Sequence, residues 1–523
     1  MLIDYRQGSS PADIDTDLCI IGSGAAGITL AREFIDSGVS VVVLESGGME
    51  YSEAAQDLSE GISAGLELED WGANRLRLFG GTTYHWGGWC ATFTEMDFEN
   101  RSWVPHSGWP INKKTLAPYY MRARKILEIN DRPDDEERLA EATKFSRQFN
   151  RDRVVPQLFD VNALRFGERF KTELEKSSGV RVFLNATAME LVPAPDGNKI
   201  TSLKVGALSG KRGQVRARDY VLACGGIENA RLLLLSNSVE RKGIGNRNDL
   251  VGRYFMGHLL AETAYVASER PENNVELGSE FETSNGFKSL LGMRVGDAAQ
   301  RNQEVLNSVG IFTSQHAPNE AMYAFKELKN AMQRGELPNE TAGKVGKVLL
   351  GLDDILRAAY GKIIYRDVNR YLDKVWALSG MSEQQPNPES RVMLSDKQDT
   401  FGQMKVALDW RLTEMDRRTF QVMTKNVALE LGRLGIGRMR LAEWIAKDTG
   451  WTPWLISSYG HHLGTTRMSD DPAEGVVDRH CRVHGLGNLH VAGGSTFPTG
   501  SALNPTFTIV ALALRLADRL KQD

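Results

Sequence analysis

The clearest hydrophobic pattern lies near the start of the chain. A short apolar run at residues 18–21 is followed by a glycine-rich segment at 22–27, an amphipathic stretch to about Ser37, and a largely apolar run at 39–44. Short apolar runs predict buried strands, and amphipathic periodicity predicts a helix. We therefore predict a strand, a glycine turn, a helix with Gly38 at its C-terminal end, and a second strand.

Other predicted strands are widely separated along the chain. Apolar runs at 180–184, 221–223 and 489–492 are too far apart for one simple repeat, which favours a sheet assembled from distant segments. With 523 residues the chain also exceeds the size at which a single core stops growing. We predict an α/β (α+β) protein with two domains, the second interleaved with the first.

Residues 315–378 are rich in helix formers and charged side chains and predict at least two amphipathic helices. A lid or an arm for homo-oligomer assembly is one interpretation of this helical insertion. A plain helical addition to the second domain is equally compatible.

The glycine-rich segment has the spacing of a dinucleotide fingerprint. Gly22 permits a tight turn, Gly24 allows close approach of a pyrophosphate, and Gly27 lets helix and strand pack closely. The helix N-terminus supplies free N–H groups for the phosphates. Glu45 follows about 18 residues later at the end of the next predicted strand, where it is expected to accept the ribose hydroxyls. Its charge disfavours NADP and leaves NAD or FAD.

A second glycine-rich segment, residues 78–90, suits neither a strand nor a helix. It contains Gly80, Gly81, Thr82, Thr83, His85 and Trp86. We expect its backbone amides to reach a flat, polar-edged ligand such as a flavin, with Trp86 covering apolar surface. An aromatic-rich surface loop is the alternative.

Near the C-terminus, two histidines and a proline-led helix follow each other. His461 and His462 precede the Gly-Thr-Thr of residues 464–466, and Asn504 and Pro505 precede an apolar helical run. Pro505 suits the first helical position and Asn504 the N-cap. This helix N-terminus could direct its dipole at an electron-rich group. A histidine alone favours a structural role, but its neighbours here favour a functional one.

Composition excludes several classes of function. The net charge of -4 with mixed signs indicates neither nucleic-acid binding nor a polybasic membrane anchor. The four cysteines form no CxxC pair and predict buried thiols rather than a disulfide framework or a metal site. No export signal or apolar run of about 20 residues is present, so we expect no membrane span and a cytoplasmic location.

Together these segments resemble the glucose-methanol-choline (GMC) oxidoreductase family. The resemblance rests on residues 22–27, 80–86, 221–231 (Val-Leu-Ala-Cys-Gly-Gly-Ile-Glu-Asn-Ala-Arg), 461–468 and 491–508. The Gly-Thr-Thr-Arg-Met and Asn-Pro-Thr-Phe-Thr forms resemble the branch of pyranose and glycoside oxidases and sugar dehydrogenases. The family implies FAD as cofactor and a Rossmann-like FAD-binding domain interleaved with a substrate domain of antiparallel sheet and helices.

On this resemblance we assign residues 12–90, 180–258 and 455–523 to the FAD-binding domain. Residues 91–179 and 259–454 form the substrate-binding domain, with the 315–378 insertion inside it.

The resemblance also implies site residues. The family's catalytic histidine matches His461 and its second catalytic position matches Asn504, while His462 remains a possible base. Tyr84 stands where pyranose oxidases have threonine before the flavin-bonded histidine, which argues against covalent attachment at His85. The predicted FAD contacts are Gly22, Gly24, Ala26, Gly27, Glu45, Gly80, Gly81, Thr82, Thr83, His85, Trp86, Gly493, Asn504, Pro505 and Thr506.

The function implied is oxidation of an alcohol, foremost a secondary ring hydroxyl of a sugar or glycoside to a ketone. His461 acts as base, Asn504 holds the alkoxide oxygen, and flavin N5 takes the hydride. Oxygen or a quinone-like compound is the expected electron acceptor. The alternatives are the catalytic subunit of a sugar or polyol dehydrogenase with a partner, a non-redox flavin-containing lyase, and a binding protein with an inactive site.

Overall fold

The described part of the chain is organised in three sheets. The computed structural model describes residues 1–68, 71–132, 136–143, 147–267, 281–316, 324, 328, 341–350, 352, 374–447, 457–458 and 460–522.

The first sheet has eight strands and is mostly parallel. Its path runs through Leu2–Asp4, Val180–Leu184, Val41–Leu44, Asp13–Ile21, Arg212–Leu222, Ile200–Gly206 and Thr187–Pro193, and Leu489–Val491 pairs with Arg212–Leu222. Only the pairings of the last two strands on this path are antiparallel. The prediction of a sheet assembled from distant segments is confirmed, although the run at 221–223 is the end of a longer strand.

A strand–helix–strand unit forms the centre of this sheet. Asp13–Ile21 and Val41–Leu44 pair in parallel, with Leu18 opposite Val41, and helix Ala25–Glu33 connects them. The helix is shorter than predicted. Ser37 N–H bonds Phe34 C=O at 3.2 Å, an i to i−3 contact of a tightened turn, so Gly38 lies beyond the helix end.

Helices cover the parallel sheet, as burial of both its faces requires. Helix Thr506–Leu520 contacts Ala25–Glu33 on one side and Lys113–Leu127 on the other. Tyr120 and Thr508 hydroxyls lie 2.8 Å apart across the second contact. Ten residues of Thr506–Leu520 are buried, which places this helix in the core directly behind the sequence Asn504–Pro505.

The second sheet is antiparallel and has nine strands. Its order is Arg438–Leu441, Leu259–Ala267, Lys374–Ser382, Ser308–His316, Lys288–Val295, Val154–Val161 and Trp89–Cys90; Phe281–Glu282 and Ser457–Ser458 pair at its sides. Helix Glu414–Arg433 packs on it through buried residues such as Phe420 and Met423. The predicted antiparallel sheet with helical cover is confirmed.

A third, three-stranded sheet joins Arg391–Gln398, Met404–Asp409 and Gly61–Ser63. The remaining helices are Glu53–Gln56, Glu95–Phe98, Glu136–Ala142, Phe166–Lys176, Gly225–Leu235, Asp297–Gln303, Thr341–Leu350 and Glu443–Ala446, with 3₁₀ turns at Asp57–Ser59, Gly81–Tyr84 and Gly494–Thr496. Within the described ranges, no helix is both long enough and apolar enough to cross a bilayer.

Two strands fall across the predicted domain ranges. Leu2–Asp4 belongs to the parallel sheet although it precedes residue 12, and Trp89–Cys90 belongs to the antiparallel sheet. The domain ranges themselves stay a prediction.

The predicted helical insertion at 315–378 is too long at both ends. Ser308–His316 and Lys374–Ser382 are paired strands, with His316 opposite Lys374. Thr341–Leu350 is a helix inside the insertion. Apart from this helix and three single positions, the residues between the two strands lie outside the described part of the chain.

Candidate active site

A cavity of about 620 Å³ opens at the carboxyl ends of the parallel strands. Its walls include the residues directly after four of these strands, namely Gly22, Glu45, Ala223 and Ala492. Open α/β sheets bind ligands at this edge, and the volume is typical of a ligand site.

Most of the predicted site residues line this one cavity. They are Gly22, Gly24, Ala26, Glu45, Gly81, Thr82, Thr83, His85, Trp86, His461, Gly493, Asn504, Pro505 and Thr506. Gly27 and Gly80 do not line it. The fold therefore collects segments that lie up to about 480 residues apart in the sequence around one space.

The fingerprint glycines have the steric roles predicted for them. Gly22 has φ of +105°, and a Cβ there would lie 2.5 Å from the carbonyl oxygen of Ala223. A Cβ on Gly27 would lie 1.9 Å from Gly22 O. Around Gly24, in contrast, there is nothing within 4 Å of a Cβ, so open space faces this backbone.

Glu45 is buried beside the glycine turn. Its Oε2 accepts from Ser23 Oγ at 2.7 Å and its Oε1 accepts from Gly47 N–H at 2.8 Å. Burial raises the pKa of Glu45, and these hydrogen bonds oppose the rise. The carboxylate is thereby held in one orientation at the cavity wall.

The segment at residues 80–86 differs in part from the expectation. Gly80 N–H donates to Ser23 O at 3.1 Å and Gly81 N–H donates to Leu78 O at 2.8 Å. These two amides are used within the fold, which corrects the prediction that they reach the ligand. Gly80 is required instead for close packing, because a Cβ would lie 2.6 Å from Gly167 N.

His85 lies exposed at the cavity, with Nδ1 at 2.9 Å from Ala73 O. Because a carbonyl oxygen only accepts, Nδ1 carries a proton. The neighbouring Trp86 donates its indole N–H to Leu164 O at 2.9 Å and meets Phe166 edge-on. Both rings are therefore held by the fold rather than loose at a surface.

The Gly-Thr-Thr signature after the histidines has a packing explanation. Gly464 has φ of +83°, and a Cβ there would lie 2.2 Å from Tyr254 O. Leu463 and Met256 exchange backbone hydrogen bonds of 2.9 and 3.1 Å. Thr466 Oγ1 lies 2.8 Å from Ser495 Oγ, in the segment that follows strand Leu489–Val491. The histidines are thus carried by a backbone fixed on two sides.

His461 contacts a histidine that sequence reasoning missed. The Nδ1 atoms of His461 and His258 lie 2.9 Å apart, and Nε2 of His258 lies 3.0 Å from Gly500 O. No spacing or motif singled out His258, and only the fold brings it to His461 across 203 residues.

Removal from water lowers the pKa of all three histidines. It lowers the pKa of His258 to about 4 and that of His462 to about 3, the latter with help from the charge of Arg75. The pKa of His461 is lowered well below its usual value by burial and then by the two neighbouring histidines. At neutral pH these rings are uncharged.

Asn504 does not cap the C-terminal helix, which corrects that prediction. The helix begins at Thr506 and Pro505 occupies the N-cap position. The Oδ1 of Asn504 is buried and has no hydrogen-bond partner among the described residues. Because the side chain is not used by the helix, it is available at the cavity wall.

The cavity also has charged walls that were not predicted. Arg75, Arg77 and Glu228 line it, and Arg77 Nη2 lies 3.0 Å from Glu228 Oε2. Although burial alone would raise it, the surrounding arginines hold the pKa of Glu228 at about 2. Glu228 belongs to the motif at 221–231, which was a detectable signal. Cys224, expected as a buried thiol, is half-buried and lines the cavity.

Empty space beside three glycines and two buried polar atoms without described partners favour a large ligand in the cavity. A Cβ on Gly24, Gly225 or Gly493 would meet nothing within 4 Å, and all three glycines line the cavity. The Nε2 of His462, like Asn504 Oδ1, is buried without a partner among the described residues. Buried polar atoms normally find partners, so a ligand is the expected source.

Two family models match separate parts of the chain. Residues 17–244 match the family model described as FAD dependent oxidoreductase, and residues 386–513 match the model described as GMC oxidoreductase.

Two relatives align over almost the whole chain. The 6'''-hydroxyparomomycin C oxidase of Streptomyces lividus is 24% identical over 98% of this chain and 92% of its own length. The large subunit of fructose dehydrogenase from Gluconobacter japonicus is 25% identical over 98% of both chains. Formate oxidase from Aspergillus oryzae has the same fold, with a TM-score of 0.59, 14% identity and coverage of 98% and 99% of the two chains.

Proposed function

We propose that this chain is an FAD-dependent member of the glucose-methanol-choline oxidoreductase family that oxidises a hydroxyl of a sugar or glycoside. The observation that carries the proposal is the uncharged, half-buried His461 at the same cavity wall as Asn504, whose Oδ1 has no hydrogen-bond partner among the described residues.

The residues present fit FAD. Gly24 at the start of helix Ala25–Glu33 offers open backbone for the pyrophosphate, and Glu45 lies where the ribose hydroxyls are expected. The glycines Gly225 and Gly493 leave room along the opposite wall. When bound, the isoalloxazine ring supplies the hydride acceptor.

His461 is the proposed base. Removing the hydroxyl proton while the C–H bond breaks avoids a high-energy cation, so one base near the oxygen is sufficient. The lowered pKa keeps His461 uncharged, and therefore able to accept a proton, at neutral pH. Asn504 at the same cavity wall is proposed to hold the substrate oxygen by donating from its amide N–H groups.

The substrate class is supported by relatives. Besides the two full-length relatives, paromamine 6'-oxidase of Streptomyces fradiae aligns over 99% of this chain at 25% identity. All three names describe oxidation of a sugar or an aminoglycoside. We propose a secondary ring hydroxyl as the reacting group, giving a ketone.

The test is anaerobic reduction of the bound flavin by glucose, by a simple glycoside and by a plain primary alcohol in turn. We expect bleaching with a sugar or glycoside, and NMR of the product distinguishes a ketone from an aldehyde. If flavin is bound but none of a broad set of alcohols bleaches it, the proposal is wrong and a non-redox reaction is favoured.

His461→Ala tests the base. We expect it to retain flavin and to slow reduction by about 10²- to 10⁴-fold, the usual contribution of a general base. His480→Ala, at an exposed histidine outside the cavity, is the control. If His462→Ala slows reduction while His461→Ala does not, the base is His462.

The resemblance to a fructose dehydrogenase large subunit favours a second candidate with the same chemistry. In this case electrons pass to a quinone-like acceptor or a partner protein rather than to oxygen. Rapid return of the oxidised spectrum in air supports an oxidase. Return only after a quinone is added supports the dehydrogenase.

A further inference from the structure

Three hydrogen-bonding groups lie in series behind the proposed base. Gly500 C=O contacts His258 Nε2 at 3.0 Å, and His258 Nδ1 contacts His461 Nδ1 at 2.9 Å. The two rings are nearly perpendicular at 87°, with centroids 4.8 Å apart. Both distances are those of ordinary hydrogen bonds.

The chemistry of these groups decides where each proton lies. A carbonyl oxygen only accepts, so His258 Nε2 carries a proton. His258 is 0% exposed and uncharged at neutral pH, so its Nδ1 has a lone pair and no proton. The Nδ1–Nδ1 contact requires one proton, which must therefore be on His461. This leaves Nε2 as the nitrogen of His461 that can accept a proton.

We propose that His258 is a positioning residue that holds His461 in the tautomer in which Nδ1 is protonated and Nε2 is the unprotonated nitrogen that takes the substrate proton. The catalytic part of this inference rests on the proposed function. The tautomer itself does not, because it follows from the contacts of the protein alone.

His258 is well placed for such a role because its backbone is fixed. Gly257 N–H donates to Gln384 Oε1 at 2.9 Å, and strand Leu259–Ala267 begins at the next residue. On the other side, Met256 is paired with Leu463, two residues after His461. The two rings therefore belong to one rigid unit.

The other titratable groups around His258 and His461 have hydrogen-bond partners of their own or are histidines. Asp97 is the carboxylate whose charge acts on His258, but its oxygens bond Asn307 Nδ2 at 2.8 Å and the backbone of Thr94 at 2.7 Å. Burial raises the pKa of Asp97. Protonation of His258 or His462 opposes protonation of His461.

The hydrogen bond between His461 and His258 becomes stronger as the proton is transferred. When the substrate O–H bond breaks and the proton forms a bond with His461 Nε2, the ring becomes a cation. Its Nδ1–H then donates a charge-assisted hydrogen bond to neutral His258, which is stronger than the bond before the transfer. His258 thus stabilises the product of proton transfer as well as the reactive tautomer.

The first test needs no substrate. Histidine labelled with ¹⁵N distinguishes protonated from unprotonated ring nitrogens, and loss of one of the nine histidine signals in His461→Gln assigns the ring. We expect His461 Nδ1 in the protonated range and Nε2 in the unprotonated range. The opposite pattern in the parent protein overturns the proposal, whatever the enzyme's activity.

The second test uses two variants of equal shape, His258→Asn and His258→Leu. Both lose the bond to Gly500, but Asn retains an acceptor near the former Nδ1 position and Leu does not. We expect Leu to reduce the limiting rate of flavin reduction about 10- to 100-fold below Asn, the usual effect of losing a ligand-orienting partner. The substrate Kd should be the same in both.

Equal rates in the Asn and Leu variants overturn the catalytic role of His258. A parent protein whose flavin no alcohol reduces contradicts the proposed function instead, and the ¹⁵N pattern then still decides the tautomer. If the Leu variant does not fold, the parent spectrum and the Asn variant remain decisive. In that case the His461 ring of the His258→Asn variant must show the same ¹⁵N pattern as in the parent protein.

Discussion

Gly226→Ala probes how closely helix Gly225–Leu235 approaches the histidine segment. A Cβ on Gly226 would lie 2.2 Å from His462 O and 2.6 Å from His462 C, both backbone atoms. An ordinary contact starts at 3.4 Å, so the His461–His462 backbone has to move by about 1.2 Å, or the helix has to retreat by as much.

Two opposing effects decide the outcome for stability. Alanine within a helix is favoured over glycine by about 1 kcal/mol, whereas overpacking a rigid contact costs about 1 to 3 kcal/mol. The clash involves backbone on both sides, so we expect net destabilisation of about 0 to 2 kcal/mol. The rate should suffer more, because misplacing a reacting group by about 1 Å can cost about 10²-fold.

The assay is stopped-flow reduction of the flavin-loaded variant together with its thermal unfolding. Gly432→Ala is the control, since a Cβ there meets nothing within 4 Å and the residue lies in helix Glu414–Arg433. A Gly226→Ala protein that reduces its flavin at the parent rate would refute the reasoning.

Two further predictions concern pH and a buried ion pair. Since burial lowers the pKa of His461, the unprotonated form of this histidine persists on acidification, and the limiting rate of flavin reduction should fall only well below pH 6.5. Stopped-flow rates measured from about pH 5 to pH 9 check this, and a fall in rate at the usual pKa of histidine contradicts it. Glu383→Gln should destabilise the fold by about 3 to 5 kcal/mol in denaturant unfolding, because it leaves the fully buried Arg101 charge without its carboxylate. Asp13→Asn, which loses the exposed pair with Arg216 and alters an exposed hydrogen bond from Gln214, should destabilise the fold far less, and an equal loss in both variants would show that burial does not matter here.

Local patterns predicted the nucleotide-binding unit well. The strand, turn and second strand follow from apolar runs and from Gly22 and Gly27, whose roles depend on neighbours in the same unit. Helix ends were less predictable. The first helix ends at Glu33 because the chain tightens into a turn, and Asn504 is not the cap that its residue type suggests. Both helix ends depend on tertiary packing, which cannot be predicted from the preference of a residue type for helix ends.

Motifs also identified most of the cavity wall, but not the partners of the motif residues. Gly80 and Gly81 were correctly placed in a tight segment, yet their amides bond Ser23 and Leu78 rather than face the cavity. Arg75 was overlooked because charged side chains are usually solvated, and Glu228, although part of the motif at 221–231, was given no role for the same reason; the structure shows both side chains largely buried against each other.

The sequence by itself predicted the similarity to the family, the FAD cofactor and the glycine turn, since each of these depends on residues close together in the chain or on several such motifs in combination. The tertiary structure alone decided what surrounds the proposed base. His258 and Gly500 lie 242 residues apart, and their contact with each other and with His461 arises only when the two sheets are joined. The tautomer of His461 depends on which atom donates in the His258–Gly500 and His258–His461 hydrogen bonds. Between residues this far apart in the sequence, the packed backbone rather than residue spacing decides which atoms face each other.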